Sequence, residues 1–211
     1  MSNWNRNVSA NRRLLALSRE NDGIREYRKS DGSVRHKCFL SYYSEDAEEV
    51  LAFVEKFSTV FIPKTVGISD DYPWVNSDDD DYVMDVIRDD YLADSTVTLV
   101  FIGKCTWSRK FVDWEVYSSL RRDKNNHLNG LLAIQLPSAV DQPTAKLPDR
   151  VNKNVRRDAN GADVGYARYN VYPSSEASLQ AWIEDAFQAR KTRDGLIVLG
   201  GPRRKANSAC S

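Results

Sequence analysis

The sequence predicts an α/β fold in which a five-stranded parallel sheet is covered by helices on both faces. From His36 onward, short apolar segments alternate with amphipathic helical patterns, which is typical of strand–helix–strand units. The apolar segments lack a clean alternation of apolar and polar residues, as expected for strands that are buried on both faces. With 211 residues, the chain can form one well-packed domain with extensions but is short for two.

Five segments are predicted as strands, and the clearest of them is 96–103, TVTLVFIG. The others are 36–43, 58–68, 129–137 and 166–172. Pro63 limits how far the second strand can take part in a central ladder, because proline has no N–H to donate. Right-handed crossovers between such strands favour a flavodoxin-like three-layer sandwich with the strand order 2-1-3-4-5.

Helices are predicted at 44–57, 80–95, 111–124 and 174–190. In the first, Ser44 is the expected N-cap, and acidic residues fill the first turn, where the helix dipole favours negative charge. The acidic run 78–81 is interpreted in the same way, as the start of the second helix rather than a calcium or magnesium site. The polar residues 138–167, with two prolines and two glycines, are predicted as a long insertion with room for short helices.

The charge of the chain is unevenly distributed, although the net charge is zero. Residues 1–35 carry +4 and residues 190–211 carry +5, which leaves −9 for residues 36–189. We therefore divide the chain into a basic N-terminal extension (1–35), a domain (36–190) and a basic flexible tail (191–211), and expect both ends to be solvated. Nucleic-acid binding is not expected, because a nucleic-acid reader carries its basic surface on the folded domain.

Hydropathy and cysteine usage indicate a cytoplasmic protein without a membrane partner. No apolar segment approaches the roughly 18–20 residues that cross a bilayer, and the N-terminal apolar stretch LLAL is too short for a secretory signal. Cys38, Cys105 and Cys210 are odd in number and lack metal-ligand spacing, which argues against both a disulfide framework and a zinc site. With only His36 and His127, a histidine-based metal site is not expected either.

The common phosphate-binding motifs do not occur in the sequence. Neither G-x-x-x-x-G-K-[ST] nor G-x-G-x-x-G is found, so no bound nucleotide cofactor is predicted. Phospho-receiver chemistry would suit the topology. The first strand, however, ends in SYYSED instead of an acidic pair followed by a phosphorylatable aspartate, and only Lys104 could serve as the lysine partner.

The segment Arg109–Leu120 carries most of the functional information. It follows the strand 96–103 across a short polar turn and places Glu115 near the carboxyl end of that strand, where open α/β sheets bind their ligands. Three aromatic residues surround this acid in sequence: Trp107, Phe111 and Trp114. We interpret Trp114 as core packing. From the residues alone, Glu115 can be a catalytic acid or a surface acid paired with Arg109 or Lys110.

Two segments of the chain resemble TIR domains. Residues 36–50, HKCFLSYYSEDAEEV, are similar to the first conserved box of these domains, a strand ending in Phe-x-Ser-Tyr with an acid soon after. Residues 85–120 resemble the TIR-like family in which Tyr-Leu-x-x-Ser leads to a strand, then Ile-Gly-Lys, then Trp/Phe-Val-Asp-Trp-Glu. That family includes the NAD-consuming TIR subunit of the Thoeris anti-phage system. The resemblance is good over roughly residues 36–136.

The resemblance implies that Glu115 is the catalytic residue, because in TIR enzymes the glutamate of the helix after the third strand carries catalysis. Phe111 stands where the family often has tryptophan and keeps an aromatic ring there. The Arg-Asp-x-x-Pro-Gly signature of receptor TIR adaptors does not follow the second strand. The expected substrate-binding residues come from the ends of the first three strands: Ser41, Tyr42, Asp46, Ile68, Asp70, Trp107 and Phe111.

A single carboxylate is sufficient for the cleavage of NAD. Glycoside hydrolases use a pair of carboxyl groups because their leaving oxygen must be protonated. The nicotinamide of NAD already carries a positive charge and departs as a neutral molecule, so no general acid is required. One carboxylate near the ribose hydroxyls then stabilises an oxocarbenium-like ribose, and aromatic residues such as Tyr42, Trp74 and Trp107 can stack on the bases. If water is excluded, a hydroxyl of the same ADP-ribose captures the cation and cyclises it.

The sequence thus predicts a TIR enzyme that cleaves NAD as its substrate and makes a cyclic ADP-ribose-type signal. By resemblance, the product activates a separate effector protein in bacterial anti-phage defence, and the active enzyme self-associates. Two alternatives stay open: a non-catalytic TIR-like module that signals by self-assembly, which oppositely charged surfaces favour, and a flavodoxin-like binder of a small ligand. The sequence does not distinguish a cyclic from a linear product.

Overall fold

A parallel five-stranded sheet forms the centre of the molecule. The computed structural model describes residues 3–21, 27–28, 32–66, 82, 92–122, 127–142 and 145–210. The sheet consists of β1 (Lys37–Ser41), β2 (Ile62–Lys64), β3 (Val97–Ile102), β4 (Gly130–Gln135) and β5 (Arg168–Asn170). Its order is β2-β1-β3-β4-β5, with every neighbouring pair parallel. The predicted α/β class and strand order are therefore confirmed.

Strands β1 and β3 are buried along their whole length, which explains why most of their residues are apolar. Every residue of β1 and β3 is buried, and Leu99 lies between Leu40 of β1 and Leu132 of β4 in the ladder. The strand predicted at 58–68 is reduced to the three residues of β2. Because β2 is at the edge of the sheet, Pro63 is tolerated there.

Helices cover both faces of the sheet within the described residues. They are α1 (Asn3–Glu20), α2 (Ala47–Lys56), α3 (Lys110–Ser119), α4 (Asp149–Asn154) and α5 (Glu176–Thr192). Leu99 belongs to the apolar core under α1, α2 and α5, whereas Val100 belongs to the core under α3 and α4. This division follows from the alternation of side chains along a strand. In the described part of the chain, no helix has the length and apolarity needed to cross a membrane.

The start of α2 differs from the prediction. Ser44–Asp46 forms a 3-10 turn, so that Asp46 and not Ser44 occupies the N-cap position, and Asp46 makes no side-chain capping bond. The Glu48 N–H in the first turn is instead bound by Asn7 Oδ1 of α1 at 3.3 Å. At the other helices, α3 ends earlier than predicted, and α4 lies inside the predicted insertion. The predicted helix 80–95 and the acidic run 78–81 fall almost wholly outside the described residues.

The N-terminal segment packs on the domain, which corrects the expectation of a solvated extension. Helix α1 contacts α2 and β2. Its residues Ala10 and Leu14 are buried in the core, and Leu17 packs against the same cluster. These three residues recur at helical spacing, while Arg12 and Arg13 on the opposite side are exposed. The segment therefore has an apolar face that packs on the domain, although its net charge is positive.

The C-terminal segment is also attached to the domain. A disulfide joins Cys105, in the loop after β3, to Cys210, which lies 105 residues further along the chain. The expectation that the cysteines form no disulfide is wrong, because this bridge depends on tertiary proximity and has no signature in the spacing. Cys38 is a buried free thiol. The domain boundaries at residues 36 and 190 stay predictions.

Candidate active site

The candidate site lies where β1 and β3 end, at the point where the strand order reverses. Ser41 is the last residue of β1, and Glu115 is in the second turn of α3, the helix that follows β3. Ser41 Oγ donates a hydrogen bond of 2.6 Å to Glu115 Oε2. The first-strand serine and the third-helix glutamate, which the sequence placed in one site, thus contact each other directly at the binding edge of an open α/β sheet.

Glu115 is a buried carboxyl group and not the surface acid that the sequence left open. It is 7% exposed. Burial raises the pKa of Glu115 to about 8, and the hydrogen bond from Ser41 acts in the opposite direction. The cause is the cost of removing a charge from water. A buried acid whose pKa is shifted to near the working pH, placed at a ligand-binding edge, is typical of a catalytic group.

Tyr42 lies beside this pair but is tied to the N-terminal helix. Its hydroxyl donates a hydrogen bond of 2.8 Å to Asn11 Oδ1 of α1, and its ring belongs to the apolar core. Asn11 Nδ2 in turn donates to the carbonyl of Ser44 at 3.2 Å. Burial raises the pKa of Tyr42, with a smaller contribution from the charge of Glu115. Helix α1 therefore holds the segment that follows β1.

Asp46 packs against the loop that follows β3. Thr106 Oγ1 lies 3.3 Å from Asp46 Oδ2 and accepts the Gly103 N–H at 2.8 Å. A Cβ atom added to Gly103 would collide with the Asp46 carboxyl group, so a larger residue at this position would displace that group. Burial raises the pKa of Asp46 to about 7, while the Thr106 hydrogen bond and the charge of Arg109 lower it. A second carboxyl group with a pKa near neutrality thus lies at the same edge of the sheet.

The predicted aromatic residues take different positions. Trp107 is half-buried in a 3-10 turn, and its Nε1 is buried without a hydrogen-bond partner among the described residues. The ammonium group of Lys146 lies 5.4 Å from the Trp107 ring. Phe111 is half-buried on α3 and contacts Trp114 edge to face at 5.8 Å. Trp114 is fully buried, which confirms its interpretation as core packing.

A cavity of about 460 Å³ lies at the same edge, by the ends of β3 and β4. Gln135, Lys146 and Tyr169 are among its lining residues, but Glu115 is not. Lys146 links this cavity to Trp107. The buried Ser41–Glu115 pair defines the candidate site, because a cavity by itself carries no chemistry. Among the described residues, no group of three or more metal-ligating side chains could hold a metal ion.

Several predicted residues are not tested by this geometry. Ile68 and Asp70 lie outside the described residues, as does Trp74. The roles of all the proposed substrate-binding residues stay predictions. His127 is an exposed loop residue.

Sequence reasoning missed residues that hold the site together. Arg109, considered only as a partner for Glu115, places its guanidinium over the Tyr43 ring, 4.1 Å from the ring centre. Asn11 lies in a segment that was interpreted as solvated, so its contact with Tyr42 gave no signal in the sequence. Thr106 could have been suspected from its place in the loop after β3, directly before Trp107.

The fold and the site together define a TIR-like domain: a parallel sheet of order 2-1-3-4-5, a first strand ending at Ser41-Tyr42, and a buried glutamate on the helix after β3. Residues 39–141 match the family model described as "Thoeris protein ThsB, TIR-like domain". This part of the chain is therefore a Thoeris ThsB TIR-like domain, and its family implies a role in Thoeris anti-phage signalling. No curated protein matches the chain in sequence.

Proposed function

We propose that this protein cleaves NAD and forms a cyclic ADP-ribose-type nucleotide, which activates a separate effector protein in anti-phage defence. The observation that carries the proposal is the buried pair of Ser41 and Glu115 at the carboxyl edge of a ThsB TIR-like domain. The pair supplies one oriented carboxyl group in a site largely shielded from water, which is what the departure of nicotinamide requires.

In the proposed reaction, the bond between the ribose C1′ and the nicotinamide nitrogen breaks, and its electron pair leaves with neutral nicotinamide. Glu115, held by the Ser41 hydroxyl, stabilises the positive charge that develops on the ribose. The positive nicotinamide ring of bound NAD lowers the pKa of Glu115, because a nearby opposite charge favours the carboxylate. Substrate binding thus generates the ionised form that the reaction uses.

Cyclisation follows when a hydroxyl of the same ADP-ribose attacks C1′ and releases its proton. The effective concentration of a group within the same molecule exceeds that of scarce water in a shielded site. Asp46, whose pKa is raised to about 7, is suited to accept a proton at this edge of the sheet. Trp107 and Phe111 are proposed to contact the bases, together with Ile68 and Asp70, which follow β2 in the sequence.

The experiment that tests this function compares NAD turnover by wild type and Glu115→Gln, with mass analysis of the products. Glu176→Gln is the matched control, because Glu176 is an exposed glutamate at the start of α5. A product lighter than NAD by one nicotinamide, without added water and dependent on Glu115, supports the cyclase. The same product with added water indicates a hydrolase. Equal NAD consumption by Glu115→Gln and wild type would refute the assignment.

Self-association is part of the proposal and is measured separately. Light scattering on the purified chain, alone and with NAD, measures the size of the oligomer. Comparison with the NAD turnover at the same protein concentrations tests whether turnover rises with oligomer size. An assembly that forms without any Glu115-dependent turnover would favour the non-catalytic signalling module. The turnover assay is therefore run at several protein concentrations, so that a resting monomer is not mistaken for an inactive enzyme.

A further inference from the structure

The C-terminal segment 197–210 lies along the helices α3 and α4. At its start, Val198 and Asn154 of α4 exchange two hydrogen bonds, from Asn154 Nδ2 to the Val198 carbonyl at 2.8 Å and from the Val198 N–H to Asn154 Oδ1 at 2.9 Å. At its end, the disulfide of Cys210 reaches the loop that precedes α3. The segment thus spans the outer side of the helix that carries Glu115.

The middle of the segment binds the two residues directly before Glu115. The Arg204 N–H donates to Asp113 Oδ2 at 2.9 Å, and Trp114 Nε1 donates to the Arg204 carbonyl at 2.8 Å. Arg150 forms a two-pronged ion pair with the same Asp113, with distances of 3.0 and 3.2 Å. The side chains of Arg150 and Asp113 are 4% and 13% exposed, so this pair is shielded from water and geometrically demanding.

The end of the segment caps the first turn of α3. Arg109, the N-cap residue of this helix, makes no side-chain capping bond. Asn207 Oδ1 instead accepts the Lys110 N–H at 2.7 Å, and the Ser208 N–H donates to the Ser108 carbonyl at 3.0 Å. The first N–H groups of a helix have no partner within the helix, so a cap from elsewhere stabilises its first turns. Glu115 lies in the turn that follows.

We propose that the segment 197–210 is a clamp that positions Glu115, with Asn207 and Asp113 as positioning residues and the Cys105–Cys210 bond as its covalent anchor. This inference rests on the proposed function of Glu115. The clamp fixes α3 at its N-terminus and at the residues adjacent to Glu115, so it sets the direction in which the carboxyl group meets Ser41 and the substrate. Release of the clamp loosens this helix end first.

The test compares full-length wild type, Asn207→Ala, Asn207→Asp and Cys210→Ser by hydrogen exchange and NAD kinetics. Lys205→Ala is the matched control, because Lys205 is an exposed residue of the same segment that takes no part in the clamp. Exchange is followed in peptides from α3 and, as an internal reference, from α5. A further sample of wild type is treated with dithiothreitol, which passes two electrons and two protons to the Cys105–Cys210 bond, leaving two protein thiols and the cyclic disulfide of the reagent.

We expect Asn207→Ala to accelerate exchange in α3 by roughly two- to thirtyfold, the range that a side-chain cap supplies, with α5 unchanged. Asn207→Asp restores slow exchange, because a carboxylate also accepts the N–H and suits the helix dipole. Cys210→Ser and reduced wild type accelerate exchange similarly, and dithiothreitol has no further effect on Cys210→Ser. In Asn207→Ala and Cys210→Ser, kcat falls with little change in KM, because these variants lose the orientation of Glu115 and not the binding of substrate.

Three results separate the clamp from the proposed function. Unchanged exchange in α3 for Asn207→Ala and Cys210→Ser overturns the clamp, whatever the NAD turnover, because exchange requires no substrate. Exchange that rises equally in α3 and α5 also overturns it, since that pattern indicates a general loss of stability. The expected exchange pattern without any Glu115-dependent turnover overturns the proposed function and leaves the contact between clamp and helix supported.

Discussion

The hydrogen bond from Ser41 to Glu115 leads to a quantitative prediction for Ser41→Ala. The bond is 2.6 Å long and buried, and it lowers the pKa of Glu115, which nevertheless stands at about 8 because burial has the larger, opposite effect. A hydrogen bond to a charged group contributes about 1.5–3 kcal/mol, and one pKa unit corresponds to about 1.4 kcal/mol. Removing the donor therefore raises the pKa of Glu115 by about one to two units.

The assay is the pH dependence of kcat/KM for NAD, which reports the ionisation of the free enzyme. If the carboxylate is the active form, kcat/KM falls as the pH is lowered through the pKa of Glu115. In Ser41→Ala this fall begins about one to two pH units higher than in wild type. Titration of ¹³C-labelled glutamate, with Glu115→Gln to assign the signal, measures the same shift without substrate.

Ser95→Ala is the matched control, because Ser95 is also a buried serine but donates its hydroxyl to the Leu92 carbonyl. It removes one buried hydroxyl without touching Glu115, so the pH profile keeps its position. If the carboxyl signal of Glu115 titrates at the same pH in Ser41→Ala and wild type, the Ser41 hydrogen bond does not control the acid, and the account of this site is refuted.

Three further outcomes follow from buried contacts. Because the pKa of Glu115 is raised in the folded protein, the contribution of this group to folding stability is fully present below pH 4.5 and is lost as the pH rises through about 8. Glu115→Gln should therefore raise the melting temperature more at pH 9 than at pH 5. An equal change at the two pH values would contradict this pH dependence. Gly103→Ala pushes a Cβ atom into the Asp46 carboxyl group and should cost about 1–3 kcal/mol in urea unfolding, whereas no loss would mean that the loop yields freely. Leu14→Ala in α1 should cost about 2–5 kcal/mol; unchanged stability in the same measurement would mean that the N-terminal helix is not part of the folded domain.

The sequence was most informative where one physical requirement dominates. β3 was predicted at 96–103 and found at Val97–Ile102, because a strand buried on both faces is apolar at nearly every position. Glu115 was singled out by its place after this strand and by the resemblance to TIR domains. Pro63 was expected to limit the part of the second strand in a central ladder, and that strand is short and at the edge of the sheet.

The contacts that the sequence did not reveal join distant parts of the chain. The Cys105–Cys210 bond and the Asn207 cap depend on where the last residues fold back, and single-residue chemistry gives no sign of that. The N-terminal segment was interpreted as solvated because of its positive charge, although it contains a short apolar stripe that includes Leu14, a residue buried in the core. At α2, Ser44 looked like an N-cap, but a preceding 3-10 turn moved the start of the helix to Ala47.

The two asparagines that cap α2 and α3 have a practical consequence for how this protein is handled. Asn7 binds the first turn of α2, which follows β1, and Asn207 binds the first turn of α3, which follows the neighbouring strand β3. A bulky label attached beside Asn7 or Asn207 therefore lies near the edge of the sheet that carries Ser41 and Glu115, and not at a remote surface. Preparations labelled at either position should be compared with unlabelled protein before a loss of turnover is ascribed to any point mutation.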